Sequence, residues 1–150
     1  MSERRIYLDT NVFIAAYENE HSPSDHAWRI LTAIENGEFF GVTSELTLAE
    51  LLVRPIEQSN YELAQQYQDV ISPATGFDVP TIDREVLIEA ATLRAVRKSL
   101  RLPDAVHVAT ARLYDCTHII SDDRRLPYAF GLEIVKLGAG ALEAIRAKIR

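Results

Sequence analysis

Residues 5–12 read RIYLDTNV, a short apolar segment that runs directly into an acid. Arg5–Leu8 has the length and composition of a buried strand, and the polar triplet Asp9-Thr10-Asn11 interrupts it. From residue 12 to residue 17 the apolar side chains continue in a helical pattern. This stretch therefore predicts a strand that passes at once into a helix, with Asp9 at the carboxyl end of the strand.

Strand and helix patterns alternate along the rest of the chain. Asn36 and Gly37 are expected to end a helix over 27–34, and a helix over 47–53 is expected to end near Pro55. Strands separated by helices predict an α/β fold with a mainly parallel sheet covered on both faces. No repeat or linker divides the chain, so residues 1–150 are expected to form one domain. Further strands are predicted at 39–43, 77–79, 118–120 and 132–135, and further helices at 61–71, 86–97, 104–114 and 141–149.

The bulk composition is that of an ordinary globular protein. The chain has 150 residues, of which 47% are hydrophobic and 25% are charged, so disorder is not expected. Its apolar runs are too short to span a bilayer, and residues 1–5 do not resemble a signal peptide. Cys116 is the single cysteine, which excludes an intrachain disulfide. We therefore expect a cytoplasmic protein that does not associate with membranes.

The net charge of −6 argues, at first sight, against a nucleic-acid partner. Binding to phosphates usually relies on a basic surface. Four carboxylates gathered in one site and neutralised by a divalent metal would, however, account for most of that charge. The overall sign therefore weakens a nuclease interpretation only modestly.

Acidic residues follow the predicted strands at several places. Asp9 directly follows the first strand, and Glu50 lies early in the helix after the second. Asp104 opens a helix, and Asp122 and Asp123 follow the strand at 118–120. Sites in open α/β sheets gather beyond the carboxyl ends of the strands. Because hard cations such as Mg²⁺ need oxygen ligands, these acids together predict a metal-dependent site for phosphodiester chemistry.

Each acid also has a purely structural interpretation. Asp9 can cap the helix that follows it. Thr47 and Glu50 match a capping box, and Asp104 suits the negative charge favoured at the start of a helix. Asp122-Asp123 is compatible with a solvated turn. Capping does not require four acids to lie at the same end of one sheet, which favours a functional cluster, although Glu50 keeps both interpretations.

Four blocks of sequence resemble the PIN domain, and most closely the VapC-type toxins of bacterial and archaeal toxin–antitoxin pairs. Each block alone is a weak signal, but together and in this order they are specific. The resemblance extends from about residue 6 to residue 137. The blocks are YLDTNV at 7–12, TLAEL at 47–51, LPDAVHVATA at 102–111 and ISDDRRL at 120–126.

This resemblance implies a three-layer α/β/α sandwich on a parallel sheet of about five strands. It also implies RNA cleavage that depends on Mg²⁺ or Mn²⁺. The four acidic positions of the family match, as catalytic residues and metal ligands, Asp9, Glu50, Asp104 and Asp123. The supporting polar positions match Asn11 or Thr10 and Ser121, while Asp122 is a second candidate for the role of Asp123.

The substrate and the partners follow from the same interpretation. Arg124 and Arg125 lie beside the last acid and are candidates for holding RNA phosphates, since arginine can bind phosphate through two hydrogen bonds. Arg94, Arg97, Lys98 and Arg101 form a second basic stretch, which is equally compatible with a solvated helix face. Similarity to toxins of this family implies a cognate antitoxin and a homodimer.

Two other functions compete with that of a metal-dependent ribonuclease. An aspartyl-phosphate phosphatase would need a second acid two residues after Asp9, where this chain has Asn11. A PIN-like module that binds RNA or protein without cutting is the remaining alternative. His107, one helical turn after Asp104, is expected to be a packed or hydrogen-bonded histidine. The four histidines show no paired spacing, which argues against a zinc site.

Overall fold

The structure is a computed structural model that describes residues 3–19, 21–122 and 130–147. Within these residues it contains five strands and seven helices that follow the predicted alternation. In chain order they are β1 (Arg5–Leu8), α1 (Thr10–Glu18), α2 (Ser22–Glu35), β2 (Phe40–Val42), α3 (Glu45–Glu57), α4 (Tyr61–Val70), β3 (Phe77–Asp78), α5 (Arg84–Val96), α6 (Leu102–Leu113), β4 (His118–Ile120), β5 (Glu133–Val135) and α7 (Ala141–Arg146).

All five strands are parallel and lie in the order β3-β2-β1-β4-β5. The chain leaves β1 toward β2 on one side, and it leaves β4 toward β5 on the other. The connections therefore diverge between β1 and β4, and in open α/β sheets this divergence opens a crevice at the carboxyl ends of the strands. Asp9 follows β1 and Ser121 follows β4, so both lie at this crevice.

Side chains of the central strand alternate between the two faces of the sheet. Ile6 and Leu8 pack in a core cluster with α1, α2, α4 and α7, whereas Tyr7 packs in a second cluster with α5 and α6. Successive residues of a strand point to opposite faces, so a sheet with apolar side chains on both must be covered twice. The predicted α/β/α sandwich on a parallel five-stranded sheet is confirmed.

Element boundaries differ from the predictions at two helices. Helix α2 begins at Ser22, five residues before the predicted start, with Pro23 in its first turn. Proline is tolerated there because the first backbone N–H groups of a helix have no intrahelical acceptor. Helix α3 is longer than the predicted 47–53, since it begins at Glu45 and ends at Glu57, two residues beyond Pro55 and so near it, as expected. The helical pattern resumes after the proline, where the Gln58 N–H donates to the Arg54 carbonyl at 3.0 Å.

None of the helices in the described ranges combines the length and the apolar character needed to cross a membrane.

The glycine of β2 allows α2 to pack closely on the sheet. A Cβ atom added at Gly41 would lie 2.9 Å from Ile34 Cδ1 and 2.9 Å from Phe77 Cδ2. Valine at this position is expected to lower the free energy of unfolding by about 1–3 kcal/mol, because overpacking displaces buried neighbours. Urea unfolding of Gly41→Val measures the loss. Gly138→Val is the matched control, since a Cβ there meets nothing within 4 Å, and an equal loss in both variants would contradict the packing argument.

Candidate active site

Asp9 is held by backbone and side-chain hydrogen bonds where β1 ends. Its backbone N–H donates to the Ile120 carbonyl at 3.1 Å, which extends the pairing of β1 with β4. Its carboxylate is buried, with Oδ1 accepting from the Thr10 N–H at 2.8 Å and Oδ2 accepting from the Ser121 hydroxyl at 2.6 Å. Asp9 is thus the N-cap of α1, as its structural interpretation predicted. Ser121, predicted as a supporting residue, fixes the orientation of this carboxylate.

Glu50 reaches the same region from α3. Its Oε1 accepts a hydrogen bond from the Thr10 hydroxyl at 2.9 Å. The capping-box interpretation of Glu50 is wrong, because α3 begins earlier and is capped by Ser44, whose Oγ accepts from the Leu46 N–H. Thr47 lies inside the helix and its hydroxyl bonds to Thr43. Glu50 is therefore available to the site.

Asp104 lies in the first turn of α6 and completes an acidic cleft. The cleft has a volume of about 250 Å³. Three of the four predicted acids and the supporting Asn11 meet in it, which sequence alone could only suggest. Its lining consists of Asp9, Thr10, Asn11, Ile14, Glu50, Asp104 and His107.

His107 has a larger part in the site than the sequence indicated. It is 3% exposed, and its Nε2 lies 2.5 Å from Glu50 Oε1 and 3.8 Å from Asp9 Oδ1. Its Nδ1 lies 2.6 Å from the hydroxyl of Tyr7. The spacing of three residues from Asp104 to His107 was the available signal, since it places both on one face of α6. No comparable signal marked Tyr7, whose position inside a strand reads simply as core.

The pKa values of the buried pair reflect the acidic surroundings. Burial by itself lowers the pKa of His107, but the hydrogen bond to Glu50 and the charges of Asp9, Glu50 and Asp104 outweigh it, so the net shift is upward. Burial, with the nearby Asp9 charge, raises the pKa of Tyr7 well above its usual range. Negative potential that favours a proton on His107 also favours a cation in the cleft.

The donor set of the cleft fits a hard divalent cation in its chemistry. Asp9, Glu50 and Asp104 offer carboxylate oxygens, the ligands that Mg²⁺ and Mn²⁺ prefer. The Asp9 oxygens each accept a hydrogen bond, yet a carboxylate oxygen can accept more than one partner. Among residues 3–19, 21–122 and 130–147, no three His, Cys, Asp or Glu side chains are already arranged to hold an ion. Glu50 is bonded to His107 in this arrangement, and the fourth predicted ligand is not among those residues.

Three of the predicted site residues, Asp123, Arg124 and Arg125, lie outside the described residues. Asp122 is described, and its Oδ1 accepts from the Leu137 N–H at 3.2 Å. This contact ties Asp122 to the segment after β5, and Asp122 is not among the described residues that line the cleft. Its geometry therefore supports a role in the loop, which leaves the fourth ligand position to Asp123 as the expectation.

A profile of the PIN domain family matches residues 6–130. The matched segment includes all of β1 except Arg5, Asp9 directly after that strand, and both helices that carry Glu50 and Asp104. No curated protein sequence matches the chain significantly.

Several solved structures share this fold. A toxin–antitoxin complex from Klebsiella pneumoniae contains a chain 22% identical to this one, with 87% of this chain and 95% of that chain covered and a TM-score of 0.64. VapBC2 from Rickettsia felis, bound to a DNA fragment from its promoter, contains a chain that is 16% identical. The match covers 88% of this chain and 98% of that chain with a TM-score of 0.68. VapC20 from Mycobacterium tuberculosis, a toxin that cleaves the sarcin–ricin loop, is 18% identical. The match covers 85% of this chain and 97% of that chain with a TM-score of 0.67. The TM-scores show a common fold, and at identities this low the similarity shows the fold alone.

Proposed function

We propose that this chain, which belongs to the PIN domain family, is an endoribonuclease that hydrolyses RNA phosphodiester bonds with the help of Mg²⁺ or Mn²⁺. The observation that carries the proposal is the convergence of Asp9, Glu50 and Asp104 on one cleft at the carboxyl ends of β1 and β4. These acids come from three separate elements. Helix capping explains the position of Asp9 and not why the other two meet it.

The roles proposed for Asp9, Glu50 and Asp104 follow from their positions in the cleft, and that of Asp123 follows from the resemblance to the family. Asp9 and Asp104 would be the main ligands of a divalent ion, and Glu50 and Asp123 would complete the site directly or through water. A bound ion supplies positive charge that offsets the phosphodiester and lowers the pKa of water for attack. Thr10 and Ser121 keep the carboxylates oriented, because each donates its hydroxyl to one of them. Pre-orientation of ligands lowers the entropy lost when the ion and the substrate bind.

Basic side chains would hold the RNA backbone. We propose Arg124 and Arg125, next to Asp123, for this role. In the second basic stretch Arg94 donates from Nε to the Leu100 carbonyl at 3.0 Å, so it supports the turn before α6 and is assigned no phosphate. Arg101 is exposed and lies three residues before Asp104, which makes it an additional candidate.

Cleavage is expected to require added metal. Purified protein incubated with labelled RNA should produce new ends with Mg²⁺ or Mn²⁺, lose this activity with EDTA, and regain it with excess Mn²⁺, because the carboxylates alone cannot offset phosphate charge. Denaturing gel electrophoresis measures the products. A mobility shift of intact RNA without any cleavage at saturating metal would instead support the alternative, a PIN-like binding module.

We further propose that the chain is the toxin of a toxin–antitoxin pair and acts as a homodimer. The support is the family membership together with the fold shared with chains from toxin–antitoxin complexes. An antitoxin could inhibit by placing a basic side chain in the acidic cleft, since its charge would substitute for the cation. A small open reading frame beside the gene should relieve growth arrest caused by this chain, and its product should co-purify with it. Growth unaffected by expression of the wild-type chain would contradict the toxin proposal.

A further inference from the structure

Tyr7, His107 and Glu50 form a line of hydrogen-bonded side chains that leads from the core to the cleft. The Tyr7 hydroxyl lies 2.6 Å from His107 Nδ1, and His107 Nε2 lies 2.5 Å from Glu50 Oε1. Tyr7 is fully buried, whereas the Glu50 side chain is 38% exposed. The cleavage proposed above requires Glu50 but gives no task to the other two residues.

The hydrogen-bonding capacity of each group determines where the protons lie. An ionised carboxylate can only accept, so His107 Nε2 must carry a proton whether the ring is neutral or charged. Nδ1 is then bare in the neutral ring and protonated in the charged one. The Tyr7 hydroxyl can donate to the unprotonated Nδ1 of the neutral ring and accept from the protonated Nδ1 of the charged ring. Tyr7 therefore satisfies Nδ1 in both states and keeps Nε2 directed at Glu50.

We propose that His107, held by Tyr7, is a positioning residue that fixes the Glu50 carboxylate in the cleft as a ligand for the divalent cation. Thr10 supports the same oxygen of Glu50 at 2.9 Å. A glutamate side chain loses conformational entropy when it is held in one rotamer. Because the two hydrogen bonds to Oε1 already hold Glu50, this entropy is lost on folding and not when the metal binds. This inference rests on the proposed metal-dependent function and deepens it.

The competing explanation is that His107 only satisfies buried polar groups and stabilises the fold. The two explanations differ in their consequences for the cation. A structural histidine contributes to the free energy of unfolding and leaves the affinity for metal unchanged. A positioning histidine changes that affinity, and partners that orient metal ligands typically contribute 10- to 100-fold.

The first test measures the tautomer of His107 in the metal-free protein by ¹⁵N NMR of the imidazole nitrogens. We expect Nε2 to be protonated in the wild-type chain and also in Tyr7→Phe, because the Glu50 carboxylate can only accept and remains the partner of Nε2 in both. A ring with its only proton on Nδ1 would overturn the proposal, since it could not donate to Glu50.

The second test measures the rise in melting temperature caused by Mn²⁺ in the absence of RNA. His107→Leu is expected to raise the half-saturating Mn²⁺ concentration by about 10- to 100-fold. Tyr7→Phe, which removes one neutral hydrogen bond, is expected to raise it by about 2- to 10-fold. His107→Gln should retain most of the affinity, because its amide N–H can still reach Glu50.

Two matched variants control for lost stability. Tyr67→Phe removes the hydroxyl of another fully buried tyrosine, which donates to Glu18; neither residue is among the described residues that line the cleft. His118→Leu replaces the other buried histidine, at the amino end of β4. Both should lower the melting temperature and keep the wild-type Mn²⁺ midpoint.

The outcomes separate this inference from the proposed function. Suppose that Mn²⁺ stabilises the wild-type chain but not the Asp9→Asn variant. An unchanged Mn²⁺ midpoint in His107→Leu would then overturn the role of His107 alone. A wild-type chain that is not stabilised by Mn²⁺ at all would overturn the metal site and this inference with it.

Discussion

Replacing Asp9 by asparagine is expected to reduce RNA cleavage by roughly a thousandfold or more while the fold survives. The charge that a bound cation places on the transition state is worth several kcal/mol, and each 1.4 kcal/mol corresponds to a factor of ten in rate. Asparagine keeps one oxygen for the Thr10 N–H, and its amide can donate to the Ser121 hydroxyl, so both hydrogen bonds of Asp9 retain a partner. Initial cleavage rates and thermal unfolding of both proteins measure the two effects.

Asp83→Asn is the matched control for this prediction. Asp83 is also the N-cap of a helix, and its Oδ1 accepts from the Val86 N–H at 3.0 Å at the start of α5. The chemical change is the same, but Asp83 is not among the described residues that line the cleft. This variant should cleave RNA as the wild type does. Equal cleavage by Asp9→Asn and wild type at saturating metal would refute the assignment of Asp9 as a ligand.

Truncation of Ile6 to alanine is expected to lower the free energy of unfolding by about 2–5 kcal/mol. Ile6 is fully buried in β1, where its neighbours in register are Gly41 on one side and His118 on the other. Loss of its side chain leaves a cavity under α1 and α2 that the flanking strands cannot fill, since they are themselves packed on both faces. Because domains are typically stable by only about 5–15 kcal/mol, this is a substantial fraction.

Chemical denaturation of the Ile6→Ala variant measures this effect. Ile88→Ala on α5 is the control, since Ile88 is 58% exposed and its truncation removes little buried area. The control should stay within about 0.5 kcal/mol of the wild type. A loss below about 1 kcal/mol for Ile6→Ala would show that β1 is not the centre of the core.

Much of the fold could be predicted because it depends on local patterns. The three apolar residues before Asp9 and the helical spacing after it predict a strand and a helix in any context. The repetition of this pattern makes a parallel sheet the favoured arrangement, since helices are the usual connections between parallel strands. The least accurate predictions concern the starts of α2 and α3, at Ser22 and Glu45, where tertiary packing can override local rules.

The error about Glu50 has a similar origin. Both Ser44 and Thr47 are residues that cap helices well, and the residue three positions after Thr47 is Glu50, so the local pattern favoured a capping box. The helix begins one turn earlier because Thr47 is fully buried and bonded to Thr43, a contact that only the folded chain provides.

The sequence by itself determined that Asp9 directly follows a strand, and thus its position at the carboxyl edge of the sheet, because the carboxyl ends of parallel strands all lie on one edge. It also placed Asp104 at the start of a helix. Only the tertiary structure decided what each acid touches. The strand order brings β1 beside β4, and the packing of α3 and α6 brings Glu50 to His107 across 57 residues of sequence and Tyr7 to His107 across 100. No periodicity encodes contacts over such separations, since they depend on how whole elements pack against each other.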